Sequence, residues 1–315
     1  MTQDLQRLSA LKAAIEQVVV GYEGPIELLL TGLMGQGHLL IEDVPGLGKT
    51  VMARTLARVS GLGFKRIQFT PDLLPSDVTG VNAYHPGKGS FEFQSGPVFT
   101  HFLLADELNR ATPRTQSALL ECMQERQVTV GGTTYPLPNP FITLATQNPI
   151  DMAGTFPLPN AQLDRFMLRI KLGYPEFDEE LQILRRFAKN ESPEDLTQPL
   201  TSADEIREMA ARSQETFLSP DLETYIVTII RATRSRDDLE VGASPRSALM
   251  LARAGRALAY VRGRDHVLPD DLQDLVKPVL AHRLISGRDS VLRRRDAENV
   301  LEKILEDVPV PMESS

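Results

Sequence analysis

A glycine-rich turn between an apolar strand and a helix limits the folds open to this chain more than any other feature. The apolar run Leu39–Ile41 leads into the turn Pro45–Thr50, and a helical pattern follows directly. The backbone N–H groups of such a turn converge at a helix N-terminus, where the helix dipole adds partial positive charge. The turn therefore predicts a phosphate-binding loop. Its members are Val44, Pro45, Gly46, Leu47, Gly48, Lys49, Thr50 and Val51.

Two side chains of this turn have the chemistry that a nucleoside triphosphate and its metal require. Lys49 is placed to reach the β- and γ-phosphates, and the Thr50 hydroxyl is placed to hold a magnesium ion. ATP and Mg²⁺ are therefore the predicted cofactors. Asp43 stands where the phosphate-loop pattern has its first glycine. A carboxylate there adds negative charge near the phosphates unless its side chain turns away from them.

A second buried strand predicts the acidic groups that act on a bound triphosphate. The apolar run Phe102–Ala105 ends in Asp106 and Glu107. Asp106 is suited to hold the magnesium ion together with Thr50, and Glu107 is suited to activate the attacking water. Adjacent acids after a strand are common in ordinary loops, so this pattern gains its meaning from the phosphate loop. Together they predict Mg²⁺-dependent ATP hydrolysis, with Lys49, Asp106 and Glu107 as catalytic residues.

The order of strand and helix signals predicts an α/β core followed by a helical region. Up to about residue 175, five nearly continuous apolar runs alternate with helical patterns, as in parallel sheets covered by crossover helices. Beyond that point the strand signals fade. The predicted domains are an α/β nucleotide-binding core over residues 1–176 and a helical lid domain over residues 177–315. Within the core, Val81–Gln94 and Gln127–Tyr135 alternate around glycine-containing turns, which predicts two added β-hairpins.

Composition and charge narrow the class of protein. The apolar fraction of 42% and charged fraction of 24% are typical of a water-soluble globular chain. No apolar run of about 18 residues and no secretory pattern occurs, so we expect no membrane span and a cytoplasmic location. The net charge of -8 disfavours a nucleic-acid-coating protein, since such binding depends on phosphate neutralisation. The single cysteine, Cys122, excludes an intrachain disulfide, and its apolar neighbours indicate a packed helix face.

Six further sequence blocks follow one another along the chain: Gln68–Gly80, Leu104–Arg110, Gln116–Glu121, Ala145–Pro149, Leu163–Phe166 and Ala243–Arg246. Taken in this order, they resemble the AAA+ ATPases and in particular their MoxR branch. The resemblance covers nearly the whole chain, and the joint order of the blocks is more specific than any one of them. It implies a five-stranded parallel sheet in the order 5-1-4-3-2 with helices on both faces, two hairpin insertions, an all-helical lid and assembly into a ring, usually a hexamer.

The resemblance also implies roles for three further polar residues. Asn148 matches the sensor-one position, where an amide orients the attacking water; an Asx turn before Pro149 is a compatible alternative. Arg165 matches the arginine finger, which reaches the γ-phosphate of a neighbouring subunit; a surface or salt-bridging arginine is the alternative. Arg246 matches the sensor-two position in the first turn of a helix capped by Ser244. A cation there opposes the helix dipole, and a phosphate would compensate it.

The function that the resemblance implies is ATP-driven remodelling or maturation of a partner protein. Relatives commonly work with a separate protein carrying a von Willebrand factor A domain, so such a partner is expected, whereas the client protein is not specified. A motor acting on nucleic acid or a chelatase-type motor subunit is one alternative, because those proteins share the hairpin insertions. A non-hydrolysing, nucleotide-dependent scaffold is the other, and Asp43 is the only hint of it.

Overall fold

A computed structural model describes residues 2–148, 154–187, 197–286 and 293–311. Among them, no helix has both the length and the apolar character needed to cross a lipid bilayer. The strands are β1 (His38–Glu42), β2 (Phe64–Gln68), β3 (Gly80–His85), β4 (Ser90–Ser95), β5 (Phe102–Asp106), β6 (Gln127–Val130), β7 (Thr133–Pro136), β8 (Ile142–Gln147), β9 (Phe166–Ile170), β10 (Leu239–Val241) and β11 (Ile285–Ser286). The helices are α1 (Thr2–Val18), α2 (Glu23–Met34), α3 (Lys49–Val59), α4 (Pro75–Thr79), α5 (Pro113–Glu125), α6 (Asn160–Leu163), α7 (Phe177–Phe187), α8 (Ala203–Ser213), α9 (Pro220–Arg234), α10 (Pro245–Val261), α11 (Pro269–Leu280) and α12 (Arg293–Asp307).

Five strands form one parallel sheet in the order β2-β5-β8-β1-β9. Counted along the chain, this order is 2-3-4-1-5, which confirms the predicted 5-1-4-3-2 read from the opposite edge. Every residue of β1, β8 and β9 is buried, because helices cover both faces of the sheet. Burial on both faces explains why these strands read as continuous apolar runs. β2 lies at the edge and exposes Lys65, Arg66 and Gln68.

Both predicted hairpins are present, as antiparallel pairs outside the central sheet: β3 with β4, and β6 with β7. In the second hairpin, Gly131 and Gly132 have φ angles of 59° and 81°. A mirror-image turn needs such left-handed values, and glycine adopts them without steric cost. Phe93 of the first hairpin stacks on Tyr135 of the second, with ring centroids 4.0 Å apart. The two insertions therefore pack against each other.

The sheet divides the apolar core into two layers. The layer on the α5 side includes Phe141 and Cys122; burial raises the pKa of the Cys122 thiol to about 12, in keeping with a packing role. The larger layer joins the sheet to helices from both ends of the chain, with Leu29 of α2 and Leu258 of α10 in one cluster. α10 and α8 pack directly on α2. The division of the chain between residues 176 and 177 stays a prediction.

Buried ion pairs also join the sheet to the C-terminal helices. Arg169 in β9 pairs with Glu42 of β1 at 3.3 Å and with Glu298 of α12. Arg283, which follows α11, donates to the Asp164 carboxylate at 2.8 Å. Loss of one member of such a pair would leave an uncompensated charge in a buried position, so these pairs fix the helices against the sheet.

The C-terminal region is helical as expected, with one addition. β10 and β11, of three and two residues, pair antiparallel beside α12. Strands this short carry no periodic signal, so the sequence pattern does not reveal them.

Candidate active site

The predicted phosphate loop lies between the end of β1 and the start of α3. Gly46 and Gly48 have φ angles of 89° and 76°, values that glycine adopts without strain. A Cβ atom placed on either glycine would meet no described atom within 4 Å. The loop thus offers open space above backbone N–H groups at a helix N-terminus. This geometry suits a polyphosphate.

Asp43 turns its carboxylate away from the space above the loop. Its Oδ1 accepts the N–H of Val44 at 2.8 Å. Its Oδ2 accepts the N–H groups of Leu172 and Gly173, both at 2.8 Å. These two residues directly follow β9, so Asp43 ties the first position of the loop to the segment that leaves the sheet. The negative charge is therefore satisfied by backbone donors. Leu172 and Gly173 are far from Asp43 along the chain, so sequence spacing does not predict this contact.

Lys49 of the loop lies within the electrostatic influence of the acidic residues at the end of β5. Its Nζ donates to the Asp43 carbonyl oxygen at 2.5 Å. Burial lowers the pKa of Lys49, although the nearby carboxylates of Asp43, Asp106 and Glu107 act in the opposite direction. Lys49, Asp106 at the end of β5 and Glu107 directly after it therefore share one electrostatic environment.

A threonine from β8 positions both acids. Thr146 Oγ1 donates to Asp106 Oδ1 at 2.6 Å and accepts the N–H of Glu107 at 2.8 Å. Glu107 has φ 55° and ψ 48°, a left-handed conformation that costs a non-glycine residue free energy and that often marks functional sites. Thr146 lies inside a block that the resemblance singles out, but its role depends on strand pairing that sequence spacing does not specify.

The edge strand β2 contacts the same two acids. Arg66 donates to Asp106 Oδ2 through Nη2 at 2.6 Å and through Nε at 3.1 Å. The same Nη2 donates to Gln68 Oε1 at 2.7 Å, and Gln68 Nε2 donates to Glu107 Oε2 at 2.8 Å. Arg66 and Gln68 are two residues apart in a strand and so lie on one face. That spacing was visible in the sequence, but the partner strand was not.

Asn148 follows β8, which lies between β1 and β5 in the sheet. Its backbone therefore enters the site between the phosphate loop and the two acids. The carbonyl oxygen of Asn148 accepts a hydrogen bond from Asn109 Nδ2 at 3.4 Å. Pro149, which would complete the Asx turn considered above, lies outside the described residues.

The oxygen donors at this end of the sheet fit a magnesium ion. Thr50 supplies a hydroxyl and Asp106 a carboxylate, and Mg²⁺ is usually held by one or two protein oxygens together with substrate phosphates and water. In the described part of the chain, no group of three or more His, Cys, Asp or Glu side chains could hold a metal alone. A magnesium ion here would therefore depend on a bound nucleotide for its remaining ligands.

Arg165 and Arg246 lie at the opposite end of the sheet. Arg165 precedes β9, whose first residue pairs with His38 at the start of β1, whereas the phosphate loop follows the end of β1. That strand separates the two positions by roughly 15 Å. Arg246 lines the same cavity as Arg165 and His38. Ser244 caps α10 as predicted, accepting the N–H of Ser247 at 3.3 Å. Arg165 and Arg246 thus form a second group, apart from the loop of their own chain.

Comparison with known proteins identifies the family. The model of the ATPase family associated with various cellular activities (AAA) matches residues 38–168, and the AAA lid domain model matches residues 231–304. The Bacillus subtilis protein YeaC, itself uncharacterized, is 44% identical over 96% of this chain and 94% of its own length. Chaperone MoxR1 of Mycobacterium tuberculosis is 43% identical over 94% of this chain and 80% of its own. This chain belongs to the MoxR family of AAA+ ATPases.

A solved structure supports the same assignment to the MoxR family. The crystal structure of a proposed ATPase from Cytophaga hutchinsonii superposes with a TM-score of 0.90 at 41% identity, covering 99% of this chain and 97% of that one. An AAA core that binds nucleotide and an AAA lid therefore belong to this MoxR-family member. The matched core contains the phosphate loop and Asp106, and the matched lid contains Arg246.

Replacing Asp43 by alanine should loosen the junction between the phosphate loop and the end of β9. The change removes the acceptor of three backbone N–H groups. Hydrogen bonds to a charged group contribute about 1.5–3 kcal/mol each, and water can replace part of them at this half-exposed position. We expect the free energy of unfolding to fall by about 1–3 kcal/mol, measured by urea denaturation. Asp237→Ala, at an exposed position, is the control and should change nothing. Equal stabilities for Asp43→Ala and the unmodified chain would contradict this role.

Proposed function

We propose that this chain binds ATP with Mg²⁺ on the loop Val44–Val51 and hydrolyses it. The observation that carries the proposal is the meeting of Lys49, Asp106 and Glu107 at one edge of the sheet, beside an open phosphate loop. Lys49 would bind the β- and γ-phosphates, and Thr50 with Asp106 would hold the metal, which neutralises charge on the phosphates. Glu107 would accept a proton from the attacking water, and the Asn148 amide would orient that water.

Assembly of several copies completes the proposed active site. Arg165 and Arg246 lie at the end of β1 opposite to the phosphate loop of their own chain, and this position fits a role on the nucleotide of a neighbouring subunit. Arginine fingers that act in this way stabilise the charge that develops during phosphoryl transfer. We therefore propose a ring, with six subunits as is usual among the AAA+ relatives, in which each copy supplies these two arginines to the next.

The proposed biological role is remodelling of partner proteins in the cytoplasm. Support comes from the relative named Chaperone MoxR1. A separate protein with a von Willebrand factor A domain is the proposed partner. Movement between a core over residues 1–176 and a lid over residues 177–315 would couple ATP hydrolysis to a change in the bound protein. The net charge of -8 disfavours the nucleic-acid motor. Asp43 is the only hint of a non-hydrolysing scaffold. Backbone N–H groups bind its carboxylate, so its charge is directed away from the phosphates and no longer favours that alternative.

Two substitutions separate nucleotide binding from hydrolysis. Glu107→Gln keeps the shape of the side chain but removes the base, so we expect unchanged binding of a fluorescent ATP analogue and a loss of phosphate release of about 10²-fold or more. Lys49→Ala should lose both binding and hydrolysis, because it removes the phosphate ligand. Phosphate release by Glu107→Gln at the rate of the unmodified chain would refute the assignment of the base.

Arg66 should weaken metal binding, because it occupies the Asp106 oxygen that a magnesium ion would need. We expect Arg66→Ala to lower, by about 3- to 10-fold, the Mg²⁺ concentration that half-saturates the fluorescence change of the bound ATP analogue. This corresponds to roughly 0.7–1.4 kcal/mol. Lys65→Ala removes an equal charge from the same exposed strand and is the matched control. A higher Mg²⁺ requirement in Arg66→Ala would show instead that the arginine helps to build the site.

Mixed assemblies test the action of Arg165 between subunits. Arg165→Ala alone should bind nucleotide normally and lose about 10³-fold or more in hydrolysis. When it is mixed with Glu107→Gln, each intact Arg165 can face a subunit that retains Glu107, so phosphate release should rise well above the sum of the separate samples. The absence of this rise at concentrations where mixed assemblies are shown to form would argue against action between subunits.

A further inference from the structure

The cavity beside Arg165 is strongly cationic. It lies between the start of β1, the end of α5 and the first turns of α10, and it has a volume of about 140 Å³. One water needs only roughly 10–15 Å³ of such volume, so a larger anion has room. Among the described residues, no aspartate or glutamate lines the cavity. Its four lining cations are Arg126, Arg165, Arg246 and Arg253.

Among the described residues, few anionic groups compensate these charges. Arg126 donates through Nη2 to the carbonyl oxygen of Gln36 at 3.0 Å, which satisfies a donor but brings no negative charge. The carboxylate nearest to Arg246, that of Asp164, is 3.8 Å away and already accepts from Arg283 at 2.8 Å. In the described part of the chain, Arg253 forms no ion pair. Arginine stays protonated in proteins, so the cavity cannot relieve its charge by losing protons.

The close arrangement of cations in the cavity is electrostatically unfavourable. Burial lowers the pKa of Arg253, and the charge of Arg126 lowers it further. Burial of His38, together with these two arginines, lowers the pKa of its imidazole to about 4, so the histidine is neutral and adds no charge at pH 7. Two half-buried guanidinium groups therefore repel each other. Such a repulsion destabilises the isolated chain and is relieved by an anion between them.

Backbone geometry directs arginines from α10 and from the end of α5 toward this cavity. Arg246, Met250 and Arg253 stand at positions i, i+4 and i+7 of α10, on one face of the helix, and all three line the cavity. Arg126 ends α5 with φ 52°, a left-handed conformation in which glycine or asparagine would be more comfortable. A long cation at a position that favours a small residue is a local cost that points to a functional site.

We propose that Arg126 and Arg253 join Arg165 and Arg246 in one pocket that binds the terminal phosphates of a nucleoside triphosphate held by a second copy of this chain. The inference rests on the proposed assembly and extends it by naming two receiving residues outside the motif blocks. Phosphate oxygens match the planar, forked donors of guanidinium groups. The loop of the same chain cannot deliver its nucleotide, because β1 separates the two ends. A free polyphosphate from solution has the same chemistry, and the experiments distinguish the two sources.

The first experiment removes each added cation without shortening the side chain greatly. We expect Arg126→Gln and Arg253→Gln to hydrolyse ATP at least 10-fold more slowly than the unmodified chain, at concentrations where it assembles. Binding of the fluorescent ATP analogue should stay within about 2-fold, since the phosphate loop is intact. Arg231→Gln, on the exposed side of α9, is the matched control and should be fully active. Hydrolysis by both pocket variants at the control rate would overturn the proposal.

Stability distinguishes binding from a structural role. Because Arg126 and Arg253 repel each other, Arg253→Gln should melt at the same temperature as the unmodified chain or higher. A lower melting temperature for Arg253→Gln, together with reduced activity, would indicate a packing role and overturn the proposal. Arg253→Lys keeps the charge but loses the fork, and should retain more activity than Arg253→Gln.

The second experiment identifies the source of the anion. Arg253→Gln mixed with Lys49→Ala should regain phosphate release, because the Lys49→Ala copy carries an intact pocket and the Arg253→Gln copy carries the nucleotide. No recovery in proven mixed assemblies would overturn the placement of the nucleotide on a second copy. Capture of a free polyphosphate from solution is tested by calorimetry of inorganic tripolyphosphate with dilute, unassembled Lys49→Ala. Tight binding that is abolished when Arg253→Gln is added to Lys49→Ala in the same chain would also overturn the placement of the nucleotide on a second copy.

The outcomes separate this inference from the function on which it rests. If Arg165→Ala fails in isolation and is rescued in mixtures while both pocket variants behave like Arg231→Gln, the proposed function stands and the inference falls. If the unmodified chain releases no phosphate at any concentration, the proposed function falls. The inference falls with it, because no nucleotide held by a second copy is then hydrolysed with the help of the pocket.

Discussion

Parallel pairing of β1, β8 and β5 determines where the polar groups of the candidate site lie. In this order the carboxyl ends of three strands meet at one edge, and each is followed by a different chemical group: the phosphate loop, Asn148 and Glu107. The strands themselves are buried and apolar, so their ends are the places where polar groups can reach solvent and ligand. Thr146 and Arg66 then fix the acids from the neighbouring strands. The site is thus a consequence of strand order, with the side chains refined by lateral hydrogen bonds.

The same strands also have amino ends, and these carry the arginines. A single chain therefore holds an anion-binding loop at one end of its sheet and an excess of cations at the other, with β1 between them. Two such ends cannot meet within one molecule. They can meet when copies associate head to tail, which is the arrangement that generates rings when the rotation closes. Charge separation along the strands is therefore the physical basis of the proposed assembly.

The parts of the fold and of the site that depend on local sequence pattern and local chemistry are predictable from the sequence. The phosphate loop, the buried sheet strands and both hairpins follow from glycine positions, nearly continuous apolar runs and alternation, and the resemblance implies the strand order. The edge strand β2 departs from the expected apolar run, because it lies at the edge of the sheet and exposes Lys65, Arg66 and Gln68. Residues whose roles depend on long-range contacts were not found: Thr146 acts across a strand pair, and Asp43 reaches residues 129 and 130 positions away. Arg126 and Arg253 belong to different helices, and nothing in their separate surroundings shows that they line one cavity. The β10–β11 pair is not predictable from the sequence for a simpler reason: its strands are too short to show a periodic pattern.

The contacts of Asp43 have a mechanical consequence. One rigid carboxylate holds the entrance of the phosphate loop with one oxygen and the exit of β9 with the other, and the chain continues from that exit into α7 and the helices beyond. A displacement of those helices would therefore act on the loop through the hydrogen bonds of one side chain. Asp43 thus couples the position of the phosphate loop to the position of the chain that leaves β9.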